Sequence, residues 1–453
     1  MSGSASIASI YEKMLLRNKN TNKEASLVGK ISSFNYFESV YSPEVTANLI
    51  FLDASGSIKA DKAQDIQERL GTIKSSLPIV GEEDLEVLIR SKSGILNFTK
   101  KPLRVNTAPT GSSDANRQSV FLSLVSKPAI DNEEINNPTI TYKGRISDTV
   151  KKILKELDIT NADIDPTRNS YSFISRSRGG LDLITDLCRK SIPVNGDPGY
   201  FFYETQDGFN FKSIDNLISE SPVETYTYTG ALLSNQDNDE NDFRIVRPPI
   251  FLKDQNVKER KKWISSRNIF FNPYNLKTEE IFYALKGAEN ADQSGQPVKK
   301  TLGRRVVDYV IPAFKYTTSN SHVLDVGSLD YRELTPNNDP REWQAKSPMR
   351  YNLLHSQMME IQVPCNLRLR AGNVIKVEIE RQGDDKELGG LDEHTSGKYL
   401  ILHLCHHFDT ERSFTSMTLA RDTYGLHVKD EGNSNEQQKS NDQLKKESGL
   451  IFY

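Results

Sequence analysis

One short segment combines histidine and cysteine at a spacing that could serve metal binding. In a strand, His403, Cys405 and His407 of the run His403-Leu404-Cys405-His406-His407 would share one face, and imidazole nitrogen and thiolate sulfur are zinc ligands. However, donors at alternate positions of a flat strand spread along about 13 Å, whereas zinc needs donors that converge at about 2.0–2.3 Å. We therefore predict strand residues packed on a sheet face and no metal site.

A second segment resembles the opening of a calcium-binding loop. Asp237, Asp239 and Asn241 have the spacing of the first ligands of an EF-hand. That loop also requires glycine at its sixth position and glutamate at its twelfth, where this chain has Asp242 and Pro248. The pattern fails at both places, so the sequence predicts a solvated acidic loop.

Other chemical signatures give little support for catalysis. No Walker A, GxGxxG, GxSxG or HExxH pattern occurs, so phosphate cradles, nucleophile elbows and zincin helices have no basis in the sequence. The cysteines fit no metal or disulfide framework and are predicted to be reduced packing residues: Cys188, Cys365 and Cys405. We predict a protein that is not an enzyme and has no cofactor, no catalytic residue and no metal. A carboxylate pair of the glycosidase type stays open, because the 61 acidic residues offer many pairs.

Charge and composition restrict the class of protein. The net charge of -3 gives no overall positive field for nucleic acid, and 36% apolar and 26% charged residues, with 19 Phe and 18 Tyr, fit a folded chain rich in β-structure. The basic residues Lys258, Arg260, Lys261 and Lys262 beside Trp263 are expected on the solvated face of a local helix. Neither a signal peptide nor a run of about 18 apolar residues is apparent, so we expect no membrane insertion.

The chain divides by pattern into six regions. Residues 1–24 are predicted to be an N-terminal arm with one short helix, since Ile7, Ile10, Met14 and Leu15 have helical spacing. Residues 25–137 alternate like strands, as at Val45, Ala47, Leu49 and Phe51, which predicts a first small β-barrel domain.

Residues 138–220 change to helical period, followed by strands. Two amphipathic helices are predicted at 146–157 and 183–188. A hairpin is predicted at 200–212, with the four-residue loop Thr205-Gln206-Asp207-Gly208 and its Asp-Gly turn. Residues 221–345 are predicted to be a middle domain with long loops, and residues 346–429 a second β-barrel domain. The fold class is thus α+β and mainly β: two small β-barrel domains, an α/β insertion and a partly irregular middle domain.

Residues 430–453 are predicted to be a flexible polar tail with an apolar tip. The tip consists of Leu450, Ile451, Phe452 and Tyr453. A flexible polar tail cannot hold such a tip cheaply in the chain's own core, and an exposed tip would be a liability. We therefore expect these four residues to bind a partner.

One internal similarity favours a duplication. Gly81-Glu82-Glu83-Asp84 precedes the strand pattern of Leu85, Val87 and Ile89, and Gly372-Asn373 precedes the same pattern at Ile375, Val377 and Ile379. Any two half-buried strands can share this pattern, so it also fits two unrelated strands.

The order of these segments resembles that of the central hub proteins of contractile phage baseplates, which are related to the late-control-D tail proteins and to the N-terminal part of type VI secretion spike proteins (VgrG). The segments are Ser39-Val40-Tyr41-Ser42-Pro43 with the strands after it, the helix from Arg145 to Leu157, the stretch from Gly179 to Lys212, and Leu369 to Ile375 with the stretches Gly397–Phe408 and Ser413–Asp422. Residues 221–340 match nothing in the family.

The resemblance implies a mechanical role. Two barrels per chain would form a homotrimeric ring that adapts the sixfold tail tube to the threefold central spike. The partners it implies are the spike protein, tail tube or tube-initiator proteins, baseplate wedge proteins and phage DNA passing through the channel. The implied location is the virion tail baseplate, assembled in the host cytoplasm. The alternatives are a tail-associated cell-wall hydrolase, and a hub or spike component of a contractile injection or type VI secretion system.

Overall fold

The computed structural model describes most of the chain outside its two ends and several internal stretches. The described residues are 8–18, 20–21, 23–54, 72–73, 77, 79–81, 83–114, 117–134, 139–229, 243–253, 265–284, 288–289, 311–312, 317–325, 337–381, 390–392 and 394–422. None of the helices in these ranges has the length and apolar composition of a membrane span.

Strands make up most of this structure. In chain order they are β1 Ile10–Asn18, β2 Lys23–Ser26, β3 Ile31–Ser39, β4 Thr46–Ala54, β5 Asp84–Ser91, β6 Gly94–Asn97, β7 Leu103–Thr107, β8 Thr110–Asp114, β9 Arg117–Ser126, β10 Thr141–Tyr142, β11 Ala162–Ile164, β12 Phe173–Ile174, β13 Tyr200–Thr205, β14 Gly208–Ser213, β15 Thr225–Tyr228, β16 Ile250–Lys253, β17 Ser265–Asn272, β18 Lys277–Ala284, β19 Ala288–Glu289, β20 Ile311–Pro312, β21 Thr317–Val323, β22 Gln357–Pro364, β23 Val374–Ile379, β24 Gly397–Asp409 and β25 Ser413–Arg421. The helices are α1 Lys127–Glu134, α2 Ile146–Glu156, α3 Gly180–Cys188, α4 Ile214–Ser219, α5 Arg341–Gln344 and α6 Lys346–Leu354. The predicted class, α+β and mainly β, is confirmed.

One large sheet combines strands from two parts of the chain. We call β1 to β9 the first half, and β15, β16 and β22 to β25 the second half. The strand order of the sheet is β16-β22-β25-β24-β3-β4-β9-β7-β5-β1-β2, with β6 beside β5, β8 beside β9, and β23 between β24 and β15. The two halves meet where β3 pairs antiparallel with β24, from His403 opposite Ser39 to Asp409 opposite Ser33.

Each half curls around its own apolar core because alternate residues of its strands point inward. Val45, Ala47, Leu49 and Phe51 of the first half are fully buried, as the alternation predicts. The second half buries residues of β22 to β25 in a separate core that includes Ile361, Tyr399 and Leu419.

The prediction of two barrel domains is wrong as far as closure is concerned. Among the strands that the structure describes, pairing follows an open path, and neither half closes into a ring. The physical reason lies in β3 and β24, since each pairs with the other half along an edge that barrel closure would need.

The helix predicted within residues 1–24 is also wrong. The described part of that region contains β1, which lies between β5 and β2 in the sheet and buries Met14 and Leu16 completely. The helical spacing of Ile10 and Met14 gives way to the strand alternation of Met14 and Leu16, because pairing with β5 supplies both backbone partners and the core.

The region after the first half has the predicted helices and hairpin, but the hairpin loop is shorter than the predicted four residues because Thr205 and Gly208 pair with each other. α2 and α3 pack on the antiparallel hairpin of β13 and β14, whose loop is Gln206-Asp207 between Thr205 and Gly208. Their shared core includes Ile153, Ile184 and Phe211. Farther along the chain, β17 lies between β18 and β21 in a separate three-stranded sheet.

The two glycine turns of the internal similarity are confirmed as turns. Gly81 before β5 has φ +93°, and Gly372 before β23 has φ +85°. Both values lie in the left-handed region that glycine enters without steric cost. The duplication itself stays a prediction.

Candidate functional site: the junction between the two halves

A buried glutamate marks the place where three parts of the chain meet. Glu38 lies on β3 on the same face as Phe34 and Tyr36, and it is fully buried. One carboxylate oxygen accepts hydrogen bonds from the Tyr36 hydroxyl at 2.7 Å and from the backbone N–H of Gln206 at 2.9 Å. The other accepts the backbone N–H of Ala371 at 2.9 Å. Glu38 therefore links the first half to the β13–β14 turn and to the second half.

An arginine from the second half supplies the opposing charge. Arg370 Nε lies 4.0 Å from Glu38 and donates to Asp207 of the hairpin turn at 2.7 Å. Its Nη1 donates at 2.8 Å to the carbonyl oxygens of Leu367 and Leu369. Because the guanidinium is a planar fork with several donors, Arg370 fixes the angle between the loop before β23 and the hairpin.

A second glutamate joins the hairpin to the start of β4. Glu204 of β13 accepts the backbone N–H of Val45 at 3.1 Å. The carbonyl of Val45 in turn accepts the N–H of Ser126 at the end of β9. Glu204 therefore connects the hairpin to the start of β4 and, through Val45, to the end of β9.

The loop before β23 approaches the hairpin too closely for any side chain. A Cβ at Gly372 would lie 2.1 Å from the hydroxyl oxygen of Tyr203. The backbone N–H of Gly372 donates to Ile401 of β24 at 2.8 Å. Glycine at this position therefore allows the second half to contact both the hairpin and its own neighbouring strand.

Burial sets the protonation of these groups. Burial raises the pKa of Glu38, against the opposing effects of Arg370 and of the hydrogen bonds from Gln206, Ala371 and Tyr36. Burial also raises the pKa of Glu204 to about 7. In contrast, burial lowers the pKa of His406, which stacks on Tyr36, to about 3, so this imidazole is neutral at neutral pH.

A second cluster of buried charges lies at α4, the helix that follows the β13–β14 hairpin. Arg350 of α6 donates to Asp215 of α4 and, at 3.2 Å, to Asp422 just after β25. All three side chains are buried. This cluster ties the helix after the hairpin to the end of the last strand.

We name the surroundings of Glu38, Arg370, Glu204 and Gly372 the junction. Its charged groups bind backbone amides and one another, an arrangement that sets the relative position of the two halves. Within the described ranges, no three His, Cys, Asp or Glu side chains gather as a metal site.

The three residues considered as metal ligands lie on one strand, β24, where His403, Cys405 and His407 alternate with the buried Leu404 and His406. His403 contacts the ring of Tyr41, and His407 hydrogen-bonds with Asn35. These partners are typical of residues packed on a sheet face, as predicted. A bulge between Ile401 and His403 interrupts pairing with β25.

The cysteines have free thiols, and burial raises the pKa of each of them, to about 11 for Cys365 and about 12 for Cys405. The predictions of an acidic loop at 237–242, a basic helix face at 258–263 and a partner-binding tip at Leu450, Ile451, Phe452 and Tyr453 concern residues that lie outside the described part of the chain.

The sequence reasoning missed the junction. One signal was available, because Glu38 continues the inward series Phe34 and Tyr36, and a carboxylate on the buried face of an alternating strand requires a partner. The identity of that partner, Arg370, follows only from the pairing of the halves.

Comparisons with known proteins show the fold. No protein-family model and no curated protein matches the sequence. The 43 kDa tail protein of prophage MuSo2 from Shewanella oneidensis is similar in structure, with a TM-score of 0.50 and 10% identity over 92% of this chain and 100% of that one. A tail protein from Neisseria meningitidis MC58 has a TM-score of 0.51 and 11% identity over 91% of this chain and 97% of that one.

A component of the type VI secretion system of E. coli is more distant, with a TM-score of 0.40 and 12% identity over 88% of this chain and 76% of that one. A similarity of that size supports no conclusion. With the two tail proteins, in contrast, the similarity extends over almost the whole of both chains, and the chain therefore shares the fold of these two tail proteins.

Proposed function

We propose that this protein is a structural component of a phage tail, and specifically the central hub of a contractile baseplate. The observation that carries the proposal is the shared fold with two tail proteins, over more than nine tenths of each chain. The proposed location is the virion baseplate, assembled in the host cytoplasm.

The arrangement of the two halves supports a ring-forming role. Each half is a curled sheet with its own core, and β3 and β24 join the halves along seven paired positions. If three chains surround an axis, six similar units result, which would reconcile a sixfold tube with a threefold spike. The proposed partners are two further copies of the chain, the spike, the tube or tube-initiator proteins and the wedge proteins.

The buried charges also support a role without catalysis. Glu38, Arg370, Asp215 and Arg350 are engaged with backbone groups or with one another, and these contacts fix positions between elements. The net charge of -3 suits a channel through which DNA passes, because a basic lumen would retain phosphates.

The structure of the assembled tail tip tests the proposal. We expect three copies of the chain around the central channel, with the two halves of each at alternating positions. A chain located outside the channel, or halves that occupy unlike positions, would exclude the hub role. Release of wall fragments by the purified protein on a peptidoglycan gel would instead favour the hydrolase.

A further inference from the structure

One end of the large sheet carries exposed apolar residues. β16 is the first strand in the sheet order, and within the described part of the chain it pairs only with β22. Its consecutive residues Ile250, Phe251 and Leu252 are 60%, 45% and 51% exposed, and Val246 just before them is also exposed. We name these four residues and the backbone of β16 the β16 edge.

The opposite end of the same sheet is protected in the usual manner. β2 has the sequence Lys-Glu-Ala-Ser, with both charged residues exposed. Charged side chains on an edge strand discourage pairing with another strand, whereas an apolar edge invites it. The β16 edge therefore has the properties of a surface that another strand covers.

The end of β25, the last described strand, lies close to the β16 edge. Arg421, the final residue of β25, pairs with Gln357 of β22, and Lys253, the final residue of β16, pairs with the next residue, Met358. β25 and β16 thus end at the same side of the sheet, two strand spacings apart, which is about 10 Å.

The chain beyond β25 has the length and composition for this connection. Residues 423–449 are mostly polar, and Leu450-Ile451-Phe452-Tyr453 follows them. A random-coil tether of 27 residues would have a typical end-to-end distance of about 26–31 Å, well above the span required. Isoleucine, phenylalanine and tyrosine are among the residues that pair best in sheets.

We propose that residues 450–453 add as an antiparallel strand to the β16 edge of their own chain. An antiparallel strand would begin beside Lys253, where the tether arrives, and end beside Ile250, so four residues cover four. The tether supplies an effective concentration of about millimolar, which makes docking on the same chain favourable at dilutions where a second copy could not compete. This proposal places the tip on a sheet edge of its own chain, in place of the separate partner that the sequence analysis expects.

A crosslinking experiment on the full chain tests whether the strand that covers the β16 edge comes from the same chain or from a second copy. Leu252→Cys combined with Ile451→Cys is treated with a short bismaleimide, and Ser26→Cys with Ile451→Cys serves as the control at the charged end of the sheet. We expect an internal crosslink within monomers for the first pair and almost none for the second. Crosslinked dimers would assign the edge to a second copy, and equal yields for both pairs would also overturn the proposal.

Hydrogen exchange provides an independent readout without cysteines. The variant Ile451→Asp with Phe452→Asp is compared with Gln437→Asp and Gln438→Asp, which adds the same charge within the tether. We expect the amides of residues 250–253 that point away from β22 to exchange about tenfold faster in the first variant and at the wild-type rate in the second. Equal exchange in both variants would show that the tip does not cover this edge.

Discussion

Arg350 binds the carboxylate of Asp215 through two nitrogens, at 3.1 and 3.0 Å, and both side chains are buried. The pair joins α6 to α4, and the remaining nitrogen of Arg350 extends the contact to Asp422 beyond β25. An ion pair in this position gains little over an apolar core, yet it is costly to break from one side. Arg350 therefore connects α6 with the helix after the β13–β14 hairpin and with the end of β25.

The first prediction concerns this pair. We expect Arg350→Met to lower the free energy of unfolding by roughly 3–5 kcal/mol, because it leaves the carboxylates of Asp215 and Asp422 buried without their cation. Urea unfolding followed by circular dichroism measures the change. Arg178→Met removes an exposed pair with Asp186 and is the matched control, with an expected loss of at most about 1 kcal/mol. Similar losses in the two variants would contradict the prediction.

The second prediction uses two glycines with nearly equal backbone angles. Gly372 has φ +85° and lies against Tyr203, whereas Gly29 has φ +80° and no heavy atom within 4 Å of the position that a Cβ would occupy. Gly29→Ala should cost about 1–2 kcal/mol, the cost of the left-handed conformation alone. Gly372→Ala should cost clearly more, since its Cβ would also overlap the Tyr203 hydroxyl.

Thermal unfolding of both variants measures the difference. Tyr203→Phe in the Gly372→Ala background should recover part of the loss, because it removes the atom at 2.1 Å while the ring carbon at 2.8 Å remains. If Gly372→Ala and Gly29→Ala destabilise the protein equally, the close approach at the junction does not contribute.

Local patterns in this sequence predict some of the strands and turns. Other strands are determined by pairing with residues far away in the chain. The alternation of Ala47, Leu49 and Phe51 and the hairpin turn at Gln206-Asp207 are set by residues within a few positions, so β4 and the hairpin were predictable, although the exact loop length was not. β1 was not, because Ile10 and Met14 satisfy helical spacing as well as strand spacing, and only pairing with β5 selects the strand.

Whether each half closes into a barrel, and how the junction forms, depends on contacts between residues far apart in the chain. Asn35 and His407 face each other across 372 positions where β3 meets β24, and no local pattern encodes that register. For the same reason Glu38 was recognisable in the sequence as a buried carboxylate, but Arg370 was not recognisable as its counterion.

The third prediction concerns metal binding by β24. Replacing His403, Cys405 and His407 together by serine should leave the metal content of the purified protein unchanged, because donors at alternate strand positions do not converge on one ion, and His403 and His407 contact Tyr41 and Asn35 instead. Elemental analysis of wild type and variant after dialysis against zinc measures this. One tightly held zinc ion per wild-type chain that disappears in the variant would establish a metal site instead.

The last prediction concerns the pH dependence of the junction through Glu204. Burial raises the pKa of this carboxyl from its ordinary value of 4.5 to about 7 in the folded protein. Between these values the folded state binds more protons than the unfolded state, so the free energy of unfolding falls as pH rises. The contribution is fully present below pH 4.5 and is lost as pH passes 7.

Glu204→Gln removes this titration while keeping an oxygen that can accept the Val45 N–H. His406 acts in the opposite direction, since a lowered pKa destabilises the fold as pH falls below 6.5, but it is present in both proteins and cancels in the difference. We therefore expect the stability of wild type relative to Glu204→Gln to decrease by roughly 1–3 kcal/mol between pH 4.5 and 8. Urea unfolding at several pH values measures this difference, with Glu24→Gln on the exposed edge of β2 as the matched control. A difference that is constant across this range, or that increases with pH, would show that Glu204 is ionised in the folded protein throughout.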